Sequence, residues 1–249
     1  MKLIVVGATG FVGGEVVRQA LCNPAIASIV AITRRAMQPP ADAVDASKFR
    51  CFVLEDWLSP YPQSLKVLIE GADACIWLNQ SLDTRSLAIT PSQSRNMDFA
   101  YVTEVCHDYT IHALESMVAV ANKPFRFIYV SGILIERDQT KELPYLAEYR
   151  HMRGRTENAL LDFAQRAAPN VQATVAKPGA IDGLGPKATP DAIIKALFQI
   201  FGHTPRVHVS ELAAAMIDQC QHGITEDPLW SDKLSEIGKR VLREEDYLR

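Results

Sequence analysis

Three glycines near the start of the chain, Gly7, Gly10 and Gly13, have the type and spacing needed to bind a phosphate. They form G-x-x-G-x-x-G within "IVVGATGFVGGEV", directly after an apolar run and at the start of a segment with helical patterning. The first glycine permits a tight turn, the second lets backbone N–H groups approach a diphosphate, and the third lets helix and strand pack closely. The pattern predicts a dinucleotide-phosphate site at a helix N-terminus, the alternative being a purely structural bend.

A basic pair, Arg34 and Arg35, follows Thr33 and the second apolar run, roughly 20 residues beyond the glycines. NAD-preferring sites usually place an acid near this position to bond the ribose 2′-hydroxyl, whereas a 2′-phosphate needs cations. Two guanidinium groups and a hydroxyl suit a phosphate, and no carboxylate is present to repel it. The pattern favours NADP(H), the alternative being that one arginine simply points to solvent.

Six short runs rich in Val and Ile must position these residues. The runs do not alternate with polar residues, which is typical of parallel strands covered on both faces. Longer amphipathic segments separate them, and the apolar period near 3.6 in residues 98–122 predicts one long helix. The alternation predicts a doubly wound parallel α/β sheet that binds ligands at the carboxyl ends of its strands. The runs are Leu3–Val6, Ile29–Ile32, Cys51–Leu54, Ala74–Leu78, Phe127–Val130 and Val171–Ala176.

The chain is interpreted as a single domain over residues 1–249, because no repeat, low-complexity tract or Ser/Gly linker divides it. Residues 180–206 open with a stretch rich in Gly and Pro, and we expect them to form a substrate-side loop and lid. Residues 225–249 are expected to form a charged, mostly solvated tail.

The composition excludes several classes of partner and site. A net charge of -3 gives no electrostatic reason to expect binding to nucleic acid or an anionic membrane. Five scattered cysteines without a C-x-x-C pair indicate neither a disulfide framework nor a zinc site, so we expect no metal and a reducing, cytoplasmic location. No run approaches the ~18 apolar residues that span a bilayer.

Several segments resemble the extended and atypical short-chain dehydrogenase/reductases, particularly the small NAD(P)-binding proteins similar to NmrA and to the HIV-Tat-interacting-protein group. After "GATGFVG", the resemblance continues in the same order through "VCHDYTIHALESM", "FIYVSG", "YRHMRGRTE", "AKPGAIDG" and "VHVSELAAAMI". It covers the chain to about residue 220 and implies a Rossmann fold with a small C-terminal substrate-side region.

The resemblance also implies a catalytic set. In this family a tyrosine donates a proton, and a lysine four residues later lowers the pKa of the phenol and holds the nicotinamide ribose. The matching pair here is Tyr149 and Arg153, so arginine replaces the lysine. Ser131 matches the serine that hydrogen-bonds the substrate carbonyl, the alternative being a hydroxyl that caps a strand end. Tyr145 is a rival phenol, but no cation follows it at the same spacing.

Further residues are expected to contact the cofactor. Asp56 resembles the family's adenine contact, although it could equally be an ordinary helix-start acid. Lys177 belongs to a block that meets the nicotinamide end, unless it is an exposed strand-end charge. The remaining expected contacts are Thr9, Phe11 and Val12 in the glycine turn, and Leu78 and Asn79 after the fourth run.

The resemblance favours an NADP(H)-dependent oxidoreductase acting on a small, fairly apolar carbonyl or alcohol. The arginine in the lysine position motivates an alternative, a non-redox NADP(H)-binding sensor of the NmrA type, and a lyase or isomerase on the same scaffold is another. A sugar-nucleotide epimerase is disfavoured, because roughly 70 residues after the sixth run are fewer than that branch uses for its substrate domain.

Overall fold

A computed structural model describes residues 1–41, 43–78, 99–183, 195, 198–200 and 202–247. Within these residues a parallel sheet of seven strands has the order β3-β2-β1-β4-β5-β6-β9, and β7 and β8 form a separate parallel pair. The strands are β1 Lys2–Val6, β2 Ser28–Thr33, β3 Phe49–Val53, β4 Ala74–Trp77, β5 Phe125–Val130, β6 Val171–Lys177, β7 Ala180–Asp182, β8 Arg206–His208 and β9 Leu229–Trp230.

Helices cover both faces of this sheet. One apolar cluster includes Val16, Leu212 and Leu234 from α1, α6 and α7, and the other includes Leu65, Leu114 and Leu160 from α2, α4 and α5. The helices are α1 Phe11–Cys22, α2 Gln63–Ile69, α3 Phe99–Thr103, α4 Tyr109–Val118, α5 Ala147–Arg166, α6 Val209–His222 and α7 Ser231–Tyr247, with a 3₁₀ turn at Ala46–Lys48. Strand order and covered faces confirm the predicted doubly wound α/β fold.

The helix predicted over residues 98–122 has a more complex form. A π turn at Glu104–Asp108 joins α3 to α4, and helical structure ends at Val118. Val105 and Cys106, both within this π turn, are buried. Residue periodicity predicts an amphipathic helix but gives no sign of this local widening.

The C-terminal segment differs from the solvated tail that we expected. Leu229 pairs with Ala176 and adds the seventh strand to the sheet. In α7, Leu234 and Ile237 are buried, and Val241 packs partly against the same cluster. These apolar residues form a stripe with helical spacing. They are set among many charged residues, so the composition of the segment gives no sign of an apolar face. One face of residues 229–241 therefore packs into the core, while the other face is exposed.

Truncating this stripe tests its contribution to the fold. We expect Leu234→Ala to lower the free energy of unfolding by about 2–5 kcal/mol, because Leu234 is fully buried (0% exposed) and the change leaves a cavity. Glu236→Ala, on the exposed side of the same helix, should change it by about 0.5 kcal/mol or less. Denaturant unfolding of both variants measures the difference. Equal, small effects would show that α7 does not stabilise the domain.

The predicted loop and lid at 180–206 are described only in part. Ala180–Asp182 and Arg206–His208 pair in parallel, and most of the residues between them lie outside the described set. No described helix is long and apolar enough to cross a membrane. Among the same residues, no group of three His, Cys, Asp or Glu side chains is placed to hold a metal ion.

Candidate active site

In the glycine turn between β1 and α1, two glycines lie so close to other backbone atoms that a side chain would not fit. Gly7 has a φ of +82°, and a Cβ there would lie 2.9 Å from the carbonyl carbon of Leu78. A Cβ on Gly13 would lie 2.2 Å from the Gly7 oxygen, so both positions require glycine for packing. Gly10 differs, because among the described residues an added Cβ would meet only the Gly7 oxygen, at 3.3 Å.

Gly10 is exposed and is the N-cap residue of α1. Because glycine has no side chain, no side-chain hydrogen bond caps this helix end. No acidic residue occupies the first turn of this helix. Thr9 is exposed, Val12 packs partly against the core, and the Phe11 ring lies against Gly183. The backbone N–H groups at this helix end are therefore the groups that the turn offers to an anion.

The basic pair lies at the carboxyl end of β2. Thr33 is buried, and its hydroxyl donates to the Arg35 carbonyl at 2.7 Å, so it fixes the turn that carries both arginines. Arg34 and Arg35 are exposed, and neither guanidinium group makes a hydrogen bond or ion pair with the part of the chain that is described. Their guanidinium groups are accessible to a ligand phosphate, while the Thr33 hydroxyl already has a partner within the protein.

Asp56 follows β3 and has a local partner. Its Oδ1 accepts the backbone N–H groups of Leu58 and Ser59, both at 3.0 Å, and its Oδ2 accepts the Ser59 hydroxyl at 2.7 Å. These hydrogen bonds, the one from the Ser59 hydroxyl above all, lower the pKa of Asp56. The residue thus holds a turn between β3 and α2, and it does not start a helix, because α2 begins at Gln63. Asn79 lies outside the described residues, and Leu78 contributes the backbone that faces Gly7.

Tyr149 and Arg153 are joined as the spacing predicts. They are one helical turn apart on α5, and Arg153 Nη1 donates to the Tyr149 hydroxyl at 3.1 Å. Arg153 Nη2 donates to the carbonyl of Val130, the last residue of β5, at 3.2 Å. The guanidinium carbon also lies 5.2 Å from the centre of the Tyr129 ring. Although arginine, this residue is fully buried (1% exposed) and bridges α5 to the carboxyl end of the sheet.

The Tyr149 phenol does not have the low pKa that a neighbouring cation suggests. Burial raises the pKa of Tyr149 above its usual value, and the positive charge of Arg153 opposes this only in part. Burial alone would lower the pKa of Arg153. The surrounding Tyr129, Tyr149 and Cys106 side chains outweigh this effect, so the pKa of Arg153 is raised. The site thus holds a charged guanidinium beside a neutral, protonated phenol.

Ser131 follows β5, and its hydroxyl donates to Glu157 Oε1 at 2.6 Å. Glu157 is fully buried (0% exposed), and its other oxygen accepts from Arg137 Nε at 2.7 Å and pairs with Lys177 Nζ at 2.9 Å. Arg137 also forms an ion pair with Asp227, with 2.8 Å between Arg137 Nη1 and Asp227 Oδ2. We call Ser131, Glu157, Lys177, Arg137 and Asp227 the Glu157 charge cluster, which runs from the buried Glu157 and Lys177 out to the exposed Asp227.

Lys177 is not the exposed strand-end charge that was one alternative, since it is 3% exposed. Its ammonium donates to the Ile135 carbonyl at 2.9 Å and lies 5.4 Å from the centre of the Trp230 ring. Burial lowers the pKa of Lys177, while Glu157 opposes the change. The side chain therefore belongs to the cluster and is already bonded within the protein.

The sequence interpretation missed Glu157, Arg137 and Asp227. Glu157 has a detectable signal, because it stands four residues after Arg153 and eight after Tyr149, on the same face of α5. Arg137 and Asp227 have none, since each reaches the cluster from a distant, irregular segment.

Neither a protein-family model nor a curated protein sequence matches this chain significantly. Solved structures do match its fold. Vestitone reductase from alfalfa superposes with a TM-score of 0.61 at 21% identity, over 92% of this chain and 76% of the reductase. A UDP-glucuronic acid 4-epimerase from Bacillus cereus, crystallised with UDP-glucuronic acid and NAD, gives 0.63 at 14% identity, over 92% and 77%.

A dTDP-glucose 4,6-dehydratase from Streptomyces venezuelae with NAD bound gives a TM-score of 0.63 at 18% identity, over 98% of this chain and 81% of the dehydratase. These neighbours confirm the resemblance at the level of the fold. The chain therefore has the Rossmann-type α/β fold that these structures share.

Proposed function

We propose that this protein binds NADP(H) and acts as an oxidoreductase on a small carbonyl or alcohol. The observation that carries the proposal is the hydrogen bond of 3.1 Å between Arg153 and the Tyr149 phenol at the carboxyl end of β5. It sets a proton-bearing group and a fixed cation where doubly wound sheets bind ligands. Structures of the same fold that contain NAD add support.

The residues at the carboxyl edge fit a phosphorylated dinucleotide. The uncapped N-terminus of α1 at Gly10 suits the diphosphate, and the side of Gly10 that a Cβ would fill leaves room for it. Arg34 and Arg35 would hold the 2′-phosphate through charge-assisted hydrogen bonds. A bound nicotinamide supplies or accepts a hydride.

The chain's own residues provide the proton chemistry. Tyr149 keeps its proton at neutral pH and donates it to a developing alkoxide, while Arg153 fixes the phenol oxygen and stabilises the negative charge left there. Lysine in this position would have a free ammonium to offer a ribose, whereas both terminal nitrogens of Arg153 already have protein partners. Arg153 therefore acts mainly on Tyr149.

Two measurements test the proposal. Nicotinamide fluorescence, titrated with NADPH and with NADH, should show tighter binding of NADPH. A panel of small aldehydes, ketones and alcohols should then show turnover by absorbance of the reduced nicotinamide. Folded protein that binds neither nucleotide would refute the proposal as a whole.

A second candidate is a sensor that binds NADP(H) without turnover. The bond between Ser131 and Glu157 favours it, because the serine expected to donate to a carbonyl already donates within the protein. Tight NADPH binding without turnover on any member of the panel would support the sensor and reject the enzyme.

The basic pair carries a prediction about nucleotide choice. Arg34→Ala and Arg35→Ala should each weaken NADPH binding about tenfold or more, since a hydrogen bond to a charged group contributes about 1.5–3 kcal/mol. Binding of NADH, which lacks the phosphate, should hardly change. Arg50→Ala is the control, because this exposed arginine of β3 bonds the Ser47 and Phe49 carbonyls instead. Equal losses for NADPH and NADH would contradict the assignment.

The raised pKa of Tyr149 predicts opposite pH profiles for the two directions of reaction. Reduction uses the protonated phenol and should stay level from about pH 6 to 9, below the usual tyrosine pKa of about 10. Oxidation of an alcohol uses the phenolate and should rise towards tenfold per pH unit over the same range. Arg153→Met removes the opposing positive charge, raises the pKa of Tyr149 further and should slow oxidation at each pH. Profiles of kcat in both directions measure this, and a reduction rate that falls with a midpoint near pH 7 would contradict it.

A further inference from the structure

The positive charge of Arg153 is buried without a counterion. Arg153 is 1% exposed, yet its hydrogen bonds go to a phenol and a backbone carbonyl, and it makes no ion pair with a described carboxylate. Glu157 lies four residues further along α5, a spacing that often gives an ion pair. Its oxygens are instead bonded to Ser131, Arg137 and Lys177. A buried cation in this position needs another group to stabilise it.

The ring of Tyr129 lies against this cation. The guanidinium carbon of Arg153 is 5.2 Å from the centre of the Tyr129 ring, and cation–π attraction operates within about 6 Å. Tyr129 is fully buried (0% exposed), so water does not weaken the contact. The ring of Tyr149 also faces the guanidinium but lies further away, at 5.9 Å. Tyr129 therefore provides the closer aromatic face.

An aromatic ring stabilises a cation in a different way from a carboxylate. It attracts the cation through its quadrupole and carries no net charge, so the positive charge is not cancelled. A guanidinium group is planar, and its N–H groups lie at its edge, so they can donate while its face packs on a ring. Arg153 Nη1 and Nη2 accordingly donate to the Tyr149 hydroxyl at 3.1 Å and to the Val130 carbonyl at 3.2 Å. The uncancelled charge thus acts on the Tyr149 phenol.

The other groups around the Tyr149 phenol oppose its ionisation. Burial raises the pKa of Tyr149, and so does the Cys106 thiol on the π turn. Burial also raises the pKa of Tyr129, Arg153 opposes this only in part, and Glu157 adds to the rise, so the Tyr129 hydroxyl stays neutral. Among the described groups that act on Tyr149, only Arg153 favours the phenolate.

We propose that Tyr129 is a positioning residue, because its ring holds the Arg153 cation against the Tyr149 oxygen without cancelling its charge; this inference rests on the proposed function. When Tyr149 gives its proton to a substrate oxygen, negative charge develops on the phenol and meets the full positive charge of the guanidinium. Tyr129 acts through Arg153 and exchanges no proton itself.

Three substitutions separate the Tyr129 ring from its hydroxyl and from the packing of β5. Tyr129→Phe keeps the ring and removes a hydroxyl that has no hydrogen-bond partner among the described residues. Tyr129→Leu removes the aromatic face and leaves an apolar side chain. Phe127→Leu is the matched control, because Phe127 is fully buried on the same face of β5 but stacks on Trp77, with 6.0 Å between the ring centres.

The pKa of Tyr149 is the quantity to measure, by ¹⁹F NMR on protein labelled with 3-fluorotyrosine, whose phenol is more acidic than that of tyrosine. The Tyr149 signal is the one that Tyr149→Phe lacks. We expect Tyr129→Leu to raise this pKa by about one unit, a tenfold weaker ionisation. Tyr129→Phe and Phe127→Leu should stay close to the wild type. Added to Arg153→Met, Tyr129→Leu should have no further effect.

The inference would be overturned by a Tyr149 pKa that is unchanged in Tyr129→Leu, or that rises equally in Tyr129→Phe or Phe127→Leu. If Tyr129→Leu does not fold, Tyr129→Met also removes the ring and is judged by the same outcomes. In protein that oxidises an alcohol, Tyr129→Leu should also lower kcat about tenfold from about pH 6 to 9 and leave KM nearly unchanged. An unchanged kcat would equally overturn the inference.

The NMR titration needs neither nucleotide nor substrate, so it distinguishes the two proposals. A raised Tyr149 pKa in Tyr129→Leu, in protein whose fluorescence titration shows no NADPH binding, would reject the proposed function and leave the contact between Tyr129 and Arg153 as the control of Tyr149 ionisation.

Discussion

Replacing Tyr149 with phenylalanine is expected to slow turnover of a small carbonyl or alcohol by about 10²–10⁴-fold, the range for loss of a positioned acid or base. The hydroxyl is held by Arg153 at 3.1 Å, and phenylalanine removes it while keeping the ring that packs near Val102, Cys106 and Met152. Folding and NADPH affinity should therefore persist. Initial rates of nicotinamide oxidation at saturating NADPH measure the loss.

Tyr145→Phe is the matched control for this experiment. Tyr145 precedes α5, and its ring lies 5.1 Å from the guanidinium carbon of Arg150, so its loss leaves the Tyr149–Arg153 bond intact. We expect its rates to remain close to those of the wild type. Turnover that is unchanged in Tyr149→Phe, in protein that still binds NADPH, would remove the catalytic role assigned to Tyr149.

Replacing Glu157 with glutamine is expected to lower the free energy of unfolding by about 3–5 kcal/mol, the usual cost of breaking a buried ion pair from one side. Lys177 is 3% exposed and keeps its charge through Glu157, so the variant leaves an ammonium group buried with a neutral partner. Chemical denaturation near pH 7 measures the change. A loss below about 1 kcal/mol would indicate that water or another residue already compensates the lysine.

The pH dependence of this loss has a definite sign. Without Glu157 the pKa of Lys177, already lowered by burial, falls further below its value in the unfolded chain. The unfolded state then binds more protons, so the variant gains stability as pH rises between those two pKa values. The difference between wild type and variant should be largest at neutral pH and should shrink on the alkaline side.

Two further variants separate charge from shape. Glu157→Asp keeps the charge, so it should cost less than glutamine. Combining Glu157→Gln with Lys177→Met removes both charges and should recover much of the lost stability, since an apolar side chain tolerates the buried position. A double variant as unstable as the sum of its parts would place the effect outside the Glu157–Lys177 pair.

Much of the fold could be predicted because its signals are local. Each of the six apolar runs became a strand of the sheet, and the glycines stand at the predicted turn between β1 and α1. The pairing of Tyr149 with Arg153 was equally predictable, because residues four apart on a helix lie on one face. The seventh strand at Leu229–Trp230 was not, since two residues in a charged segment carry no periodic pattern.

The sequence by itself determined the order of strands and helices, the glycine turn and the basic pair after β2, because backbone conformation and apolar periodicity depend on neighbouring residues. Only the tertiary structure decided what Ser131 and Lys177 do. Their partner Glu157 lies 26 residues from Ser131 along the chain, and the contact depends on how α5 packs against the ends of β5 and β6. A buried carboxylate must find donors wherever the fold brings them, and here Glu157 holds both the hydroxyl of Ser131 and the ammonium of Lys177 within the protein.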